Sequence, residues 1–499
     1  MTNPISGMFN QCRRAMPEVH SFALIVLILG ALGSIIAISP TLAKMLVALP
    51  VVLALYGAIL IHWRWGIYGL LVYLPFAGLP TILLYPAPSI TLLIKDLLFV
   101  IPAYLSFIIG YTRNRRHKPI FFVGAPIMLF SALAAIIFIH LFNPNLVNPL
   151  VGLIGLKVWL FYIPLYFLGY HLVDSKNQLF QMAKVILFTG TIPVTVGILQ
   201  AIFIYTGYSN VVSDFYKPAE ETTTQMLGGF VVGTGEQLVR IPSTFTFVTQ
   251  YWTFLLCLFP ISYAMWMKAK LMGQRNNIWY LLILGLIGMA GISSGARASL
   301  VMIPCYLLLL AIIGGGWKQA LKPLILLILA VVILVRLLGT TTVDLFNFTL
   351  AIVGLYSSEE GGIYIEHSRV LDITWIGLGT GMSTGPARYA LGLADETVDL
   401  VGLEGFYVKT IAEIGIPGLM IVVALFTQLL LNSYKAFACL QDRALRAFGA
   451  GILVFLFIQI IYSTKGAVLD FDPINVYFWL FAGILMKLPK LQASSPLVD

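Results

Sequence analysis

The sequence predicts an all-α, polytopic integral membrane protein, and three observations carry that prediction. Hydrophobic residues make up 59% of the chain and charged residues only 10%, against about half and about a quarter in soluble domains. Apolar runs of roughly twenty residues, the length a helix needs to cross the hydrocarbon core, recur from one end of the chain to the other. Lys and Arg gather in alternate connections between these runs, as they do in cytoplasmic loops.

In chain order the spans read at about 21–39, 41–61, 66–84, 90–110, 119–142, 150–171, 178–206, 244–267, 278–294, 298–315, 320–338, 406–431, 447–463 and 474–487, about fourteen in all with twelve as the lower bound. The first follows Arg13 and Arg14 as the apolar part of a signal peptide would. A second span comes at once, so it reads as an uncleaved helix. Threading from a cytoplasmic N-terminus puts Arg113 to Lys118, Lys268 to Arg275, Lys318 and Lys322, Lys435 to Arg446, and Lys487 and Lys490 inside. Of the 21 acidic residues only Glu18, Asp174, Asp442 and Asp499 then lie inside. Both termini face the cytoplasm in this threading.

The net charge of +9 is thereby explained as a positive-inside signature. No basic and aromatic pattern in a soluble segment points to nucleic acid. Cys12 and Cys439 fall inside and Cys257 and Cys305 within spans, with no disulfide or metal spacing. The chain reads as a single membrane domain, 1–499, without an evident repeat between its halves, which argues against transporters built from duplicated bundles. Two polar segments interrupt it on the outer side, 206–241 and 339–405.

The second of these segments holds the largest group of acidic residues. Loops so long are uncommon unless functional, so it is expected to be partly helical and to pack over the bundle as a lid. Glu366 to Trp375 suits a short helix with Val370, Ile373 and Trp375 on its apolar side. Gly377-Leu-Gly-Thr-Gly381 reads as turn chemistry, because no strand precedes it as a nucleotide-binding glycine loop requires.

Candidate chemistry centres on the outer mouth. Arg240 precedes a span, Arg297 sits in a very tight turn between two spans, and Arg369 lies in the loop helix. Arginine presents a planar, permanently charged fork that suits phosphate oxygens. One rim arginine is explained by snorkelling to headgroups, whereas three around one acidic loop suggest a shared anionic substrate. Lys157 and the pair Lys95–Asp96 lie inside apolar helices, where a charge costs roughly 2.5 to 3.5 kcal/mol and tends to be paired or functional.

Glu404 opens the helix that re-enters the membrane. The helix dipole favours a carboxylate there, and a general base within reach of a hydroxyl is the functional alternative. Glu413 can pair with Lys409 four residues earlier and reads as structural. His367 is the one histidine in either polar segment and ranks below Glu404. Tyr356, Tyr364 and Tyr407 can stack on sugars, though aromatics are expected at a membrane interface anyway.

The Ser-Ser-Gly-Ala-Arg297-Ala turn, the earlier Arg240, Ser-Arg369 followed by Trp375 and Gly-Leu-Gly-Thr-Gly, and the closing Glu404-x-x-Tyr407-x-x-x-Ile-x-Glu413-x-Gly415-Ile-Pro-Gly418 resemble the O-antigen ligase and polymerase superfamily. The likeness covers Arg240 to Gly418 well and the first seven spans only in general character. It implies a GT-C-like fold in a bacterial inner membrane with the active loop periplasmic. It also implies glycan transfer from undecaprenyl diphosphate, without a nucleotide sugar, metal or other cofactor.

Carried over, Arg240 and Arg297 would hold the diphosphate and Arg369 would support them. Lys157, Lys95, His367 and Tyr407 would contact lipid or glycan. The ligases of the family open the closing motif with histidine and asparagine, where this chain has Glu404-Gly405. That departure fits the polymerases better. The partners implied are lipid-linked donor and acceptor glycans, membrane lipids and a chain-length regulator. A ligase acting on lipid A core or on protein, and a flippase of the lipid-linked unit, remain the alternatives.

Overall fold

In lipid every backbone N–H and C=O has to be satisfied within the chain, so apolar runs of this length fold as helices. The computed structural model describes residues 41–83, 91, 93–113, 122, 124–146, 148–216, 230–231, 237–238, 240–274, 277–296, 298–314, 321, 325, 329, 370–371, 374–384 and 405–493. Among the described residues six helical stretches are long and apolar enough to cross a membrane: 149–172, 176–205, 248–271, 406–438, 443–462 and 474–493. Shorter apolar helices lie at 49–61, 96–112, 127–140, 277–293 and 301–313. The protein is therefore a helical, multi-pass membrane protein. The span expected at 21–39 lies outside the described residues, as does all but three positions of that at 320–338.

The chain divides into two compact units, one formed by 1–74 with 89–118 and the other by 75–88 with 119–499. The first holds α1 (Thr41–Ile61), α2 (Trp63–Tyr73), a π-helical turn (Asp96–Val100) and α4 (Ile101–Arg113). Its helices meet through small residues. A side chain at Gly66 would run into Phe99 and Ala103, and one at Gly69 into the Phe99 ring. Lys95 and Asp96 are both buried here and bond to each other at 3.1 Å.

The second unit holds α3 (Leu79–Leu83), α5 (Ile127–His140), α6 (Pro149–Leu160), α7 (Leu165–Leu172), α8 (Lys176–Tyr205) and α9 (Ser209–Tyr216). It continues with α10 (Val248–Leu271), α11 (Asn277–Ser293), α12 (Ala298–Ile313), α13 (Phe406–Ala438), α14 (Arg443–Tyr462) and α15 (Ile474–Ala493). A two-residue antiparallel ladder pairs Phe230 with Leu238 and Val231 with Gln237. α10 and α15 are mostly apolar and buried along nearly their whole length, as central helices are. α15 meets α7 backbone to backbone: a Cβ at Gly483 would lie 1.9 Å from the Tyr166 carbonyl, and one at Gly169 2.3 Å from that of Leu480. In a bilayer such close packing replaces the hydrophobic drive that water supplies.

Two expected spans are broken. The one at 66–84 ends as α2 at Tyr73, because Pro75 and Gly78 interrupt it before α3. The one at 150–171 is divided at Phe161 to Pro164 into α6 and α7. The span expected from 244 begins as non-helical backbone. Ile241 to Thr246 is buried, with Ser243 at a φ of 54°. Its polar groups are met by Gln200, Tyr216, and the carbonyls of Pro193 and Pro75. Irregular backbone at membrane depth is tolerated in such surroundings, where protein covers it.

At one end of this unit Asp442 caps α14, accepting from the Ala444 and Leu445 amides at 2.9 Å, and pairs with Lys176 at 2.7 Å. Burial raises its carboxyl, but the Lys176 bond and charge and the two amides outweigh burial and hold it below its ordinary value. A lowered folded value means that the stabilisation is present above the unfolded value of about 3.9. It is lost as pH falls through the folded value. Asp442→Ala is expected to cost about 1 kcal/mol, the worth of a cap. The pair adds little because it is partly exposed. Thermal unfolding of both proteins checks this, and a difference that stays constant down to acid pH would remove the carboxylate from the account.

Candidate functional site

The start of α13 is tied to the end of α14. The Phe406 amide donates to the Ser463 carbonyl at 2.9 Å, and the Tyr407 hydroxyl to that of Ile460 at 2.8 Å. Phe406 and Tyr407 both pack on Phe426, which lies beyond the break at Gly415. Gly405, directly before the helix, lies where a Cβ would stand 2.8 Å from the Thr464 carbonyl. Position 404 thus adjoins an anchored residue.

One turn into the helix lies a buried charged centre. Lys409 pairs with Asp470, with side chains 2% and 6% exposed, and its ammonium sits 4.9 Å from the centre of the Trp159 ring. The pairing expected from spacing, Lys409 with Glu413, is not the one made. Glu413 instead accepts from Trp159 Nε1 at 2.7 Å, Thr384 Oγ1 at 2.8 Å, and Ser383 Oγ and N at 3.0 and 3.2 Å. With four donors on one carboxylate Glu413 is a structural hub, as the sequence suggested but with different partners. Asp470 stands between spans, on the short helix Val468–Asp470. Burial pushes its carboxyl up against the opposing charge and bond of Lys409, and the negative charge of Glu413 adds to the rise.

Two residues beyond Glu413 the helix breaks. Gly415 has φ 71° and ψ −176°, a backbone region that is essentially Gly-only. Pro417 has no amide, so the Glu413 carbonyl lacks its helical donor. The glycine segment replaces what the break removes. Leu378 N donates to Ala412 O at 2.8 Å, Gly379 N to Glu413 O at 3.0 Å, and Ile416 N to Trp375 O at 3.0 Å. Gly377, Gly379 and Gly381 all have φ near +100°, between 91° and 113°. Gly155 of α6 meets Gly381 so closely that a Cβ would be 2.3 Å from its nitrogen. The turn chemistry expected of this segment is what it performs, with the particular task of closing a broken helix.

Val370 is buried against Val408, Ile411 and Ala412, as its place on an apolar side required. Trp375, expected on the same apolar side, is instead 67% exposed. A cavity opens beside the charged centre, lined by Trp159, Tyr162, Phe406, Phe426 and Trp479 with Asp470 and Asn475 as its polar members. Asp470 therefore links the Lys409 pair to a space with aromatic walls. The arrangement can hold one carboxylate in contact with a polar ligand while Glu413 keeps the loop in place.

At the rim, the Ile241 amide donates to the Ser294 carbonyl at 3.0 Å. This bond sets the backbone next to Arg240 against the turn of Ser293 to Ala296, in which Gly295 has φ 71°. Arg240 is half-buried. Lys157 is half-buried on α6, with its ammonium 5.9 Å from the Phe161 ring and 6.0 Å from that of Tyr162. Lys95 belongs to the first unit and Tyr407 to the anchor of α13. Arg297, Arg369, His367 and Glu404 lie outside the described residues, as do Tyr356 and Tyr364.

The sequence reading missed Asp470, Trp159, Ser383, Thr384 and Asn475. Asp470 carried a signal, since it and Asp472 are the acids between the last two spans. The fold and site define a helical membrane protein with a broken, loop-braced helix over a buried charged centre. No family model matches the chain, and no curated protein matches it.

Proposed function

We propose that the protein is a polysaccharide polymerase of the bacterial inner membrane, acting on O-antigen, capsule or exopolysaccharide repeat units. In this reading it has about fourteen spans in a GT-C-like arrangement, cytoplasmic termini and a periplasmic active loop. The observation that carries the proposal is the bond from Ile241 N to Ser294 O. It joins the backbone beside Arg240 to the turn of Ser293 to Ala296, and an arginine at such a rim suits a lipid diphosphate.

The acceptor hydroxyl gives its proton to Glu404 while its oxygen forms a bond to the anomeric carbon. The bond from that carbon to the diphosphate oxygen breaks on the opposite face, so configuration inverts. The electron pair leaves with the undecaprenyl diphosphate, whose growing charge Arg240 and Arg297 neutralise. Arg369 supports the pair, and Lys157, His367 and Tyr407 are the proposed lipid and glycan contacts. No metal or nucleotide sugar takes part in this scheme.

The test is the lipid-linked intermediate that accumulates when the gene is deleted and when Arg297→Ala replaces it. A single repeat unit on the lipid is the expected result for both. Long chains still made but not attached would replace the proposal with a ligase. Loss of export with synthesis intact would replace it with a flippase.

A further inference from the structure

One side chain joins the end of α5 to the glycine segment. Asn143 Oδ1 accepts from the Asn145 amide at 2.9 Å, and its Nδ2 donates to the Gly377 carbonyl at 3.0 Å. These two bonds fix which way round the carboxamide lies, since an amide N–H needs an acceptor and a carbonyl needs a donor. The same Nδ2 lies 3.3 Å from Nδ1 of His140, the last residue of α5, which is 6% exposed. With a donor facing it, Nδ1 has to be the acceptor, so the ring is neutral with its proton on Nε2. Asn143 also packs its Cβ on Gly379, where an added Cβ would stand 3.2 Å away.

A second proton on His140 reverses this arrangement. Both ring nitrogens then donate, and Nδ1–H meets the N–H of Asn143. Turning the carboxamide over gives the charged ring an acceptor and a charge-assisted bond. It also sets Oδ1 against the Gly377 carbonyl and Nδ2 against the Asn145 amide, so both of those bonds are given up. Gly377 directly precedes Leu378 and Gly379, whose amides brace the break in α13 through the carbonyls of Ala412 and Glu413. The titratable groups of the elements packed at this end are Tyr407, Lys409 and Glu413 of α13 and Lys157 of α6. Tyr407 donates to Ile460, Lys409 pairs with Asp470, Glu413 accepts from Trp159, Ser383 and Thr384, and Lys157 lies by Phe161 and Tyr162. Among the described residues none of them bonds to His140. α7 and α15 meet α5 at Phe130, about three turns away.

We propose that His140 is a proton-operated latch on the glycine segment: neutral, it lets Asn143 hold the Gly377 carbonyl, and charged, it draws the Asn143 carboxamide away and loosens the brace of α13. The two arrangements differ by one proton and each has its own bonds, as a histidine switch requires. Acid releases the latch, because the held state binds one proton fewer. The effect reaches the buried charged centre, since the same segment carries Ser383 and Thr384 to Glu413. The latch does not depend on the proposed polymerase.

The test is hydrogen exchange of the full chain in detergent at about pH 7.5 and about pH 5.5, read at the amides of Leu378 and Gly379 and corrected for the intrinsic pH dependence of exchange. Their protection is expected to fall about five- to tenfold at the lower pH, the worth of roughly one hydrogen bond, while that of α10 holds. His140→Gln keeps an acceptor and takes up no charge, so its protection should be the same at both. Asn143→Leu drops the Gly377 bond and should be weakly protected at both. Equal protection of the wild type at the two pH values would overturn the latch, as would a fall shared by α10 or one that persists in His140→Gln. Asn143→Leu protected like the wild type near pH 7.5 would overturn it too, because the Gly377 bond would then carry no part of the brace. Should His140→Gln fail to fold, the wild-type profile and Asn143→Leu still decide.

Discussion

On the proposed polymerase mechanism, replacing Glu404 with Gln is expected to slow glycan extension by about 10²- to 10⁴-fold, the range that a positioned general base contributes. The amide keeps the size of the side chain and cannot take the acceptor's proton, so the loss belongs in the chemical step and not in binding. Turnover of a lipid-linked repeat unit by the purified protein separates the two. The expected pattern is a fall in kcat with KM nearly unchanged. On the proposed mechanism Arg240→Ala or Arg297→Ala would instead lose both, because in that scheme the diphosphate is held before and during bond breaking. A Glu404→Gln protein that extends chains within a few-fold of the wild type would remove Glu404 as the base.

The second large effect is structural. Lys409→Met leaves Asp470 as a buried carboxylate without its partner, and breaking such a pair costs about 3–5 kcal/mol. The cost has a pH signature. Burial already raises the folded Asp470 carboxyl above its unfolded value. The folded state therefore holds more protons between the two values, and stability falls as pH rises through that window. Removing Lys409 takes away the charge that opposes the rise, and the window extends to higher pH. The penalty of Lys409→Met should accordingly be smaller near pH 5 than near pH 8, as read from unfolding in detergent. Adding Asp470→Asn should recover part of the loss, since an amide carries no charge to strand. A penalty independent of pH and untouched by the second substitution would mean that packing, not charge, sets it.

The two effects differ in how much of them the sequence held. Glu404, read from the sequence as opening the re-entering helix, lies outside the described residues, whereas the apolar runs were legible, since about 1.5 Å per residue fixes how many are needed to cross a bilayer. The Lys409 pair was not. Spacing of four residues on a helix names Glu413, and Asp470 lies 61 positions away. Local spacing says which residues share a face, not what another element brings to it.

By itself the sequence determined a helical membrane protein. It also determined that Gly377, Gly379 and Gly381 would form a turn, because composition and backbone sterics act residue by residue. The tertiary structure alone decided that this turn would brace the break at Gly415 through the carbonyls of Ala412 and Glu413. It also decided that Trp159 would join Glu413 to the Lys409–Asp470 pair, and that Ile241 would meet Ser294. The physical reason is the same in each case. A buried donor or acceptor must find a partner within hydrogen-bond distance, and which partner arrives there is set by how helices far apart in sequence pack.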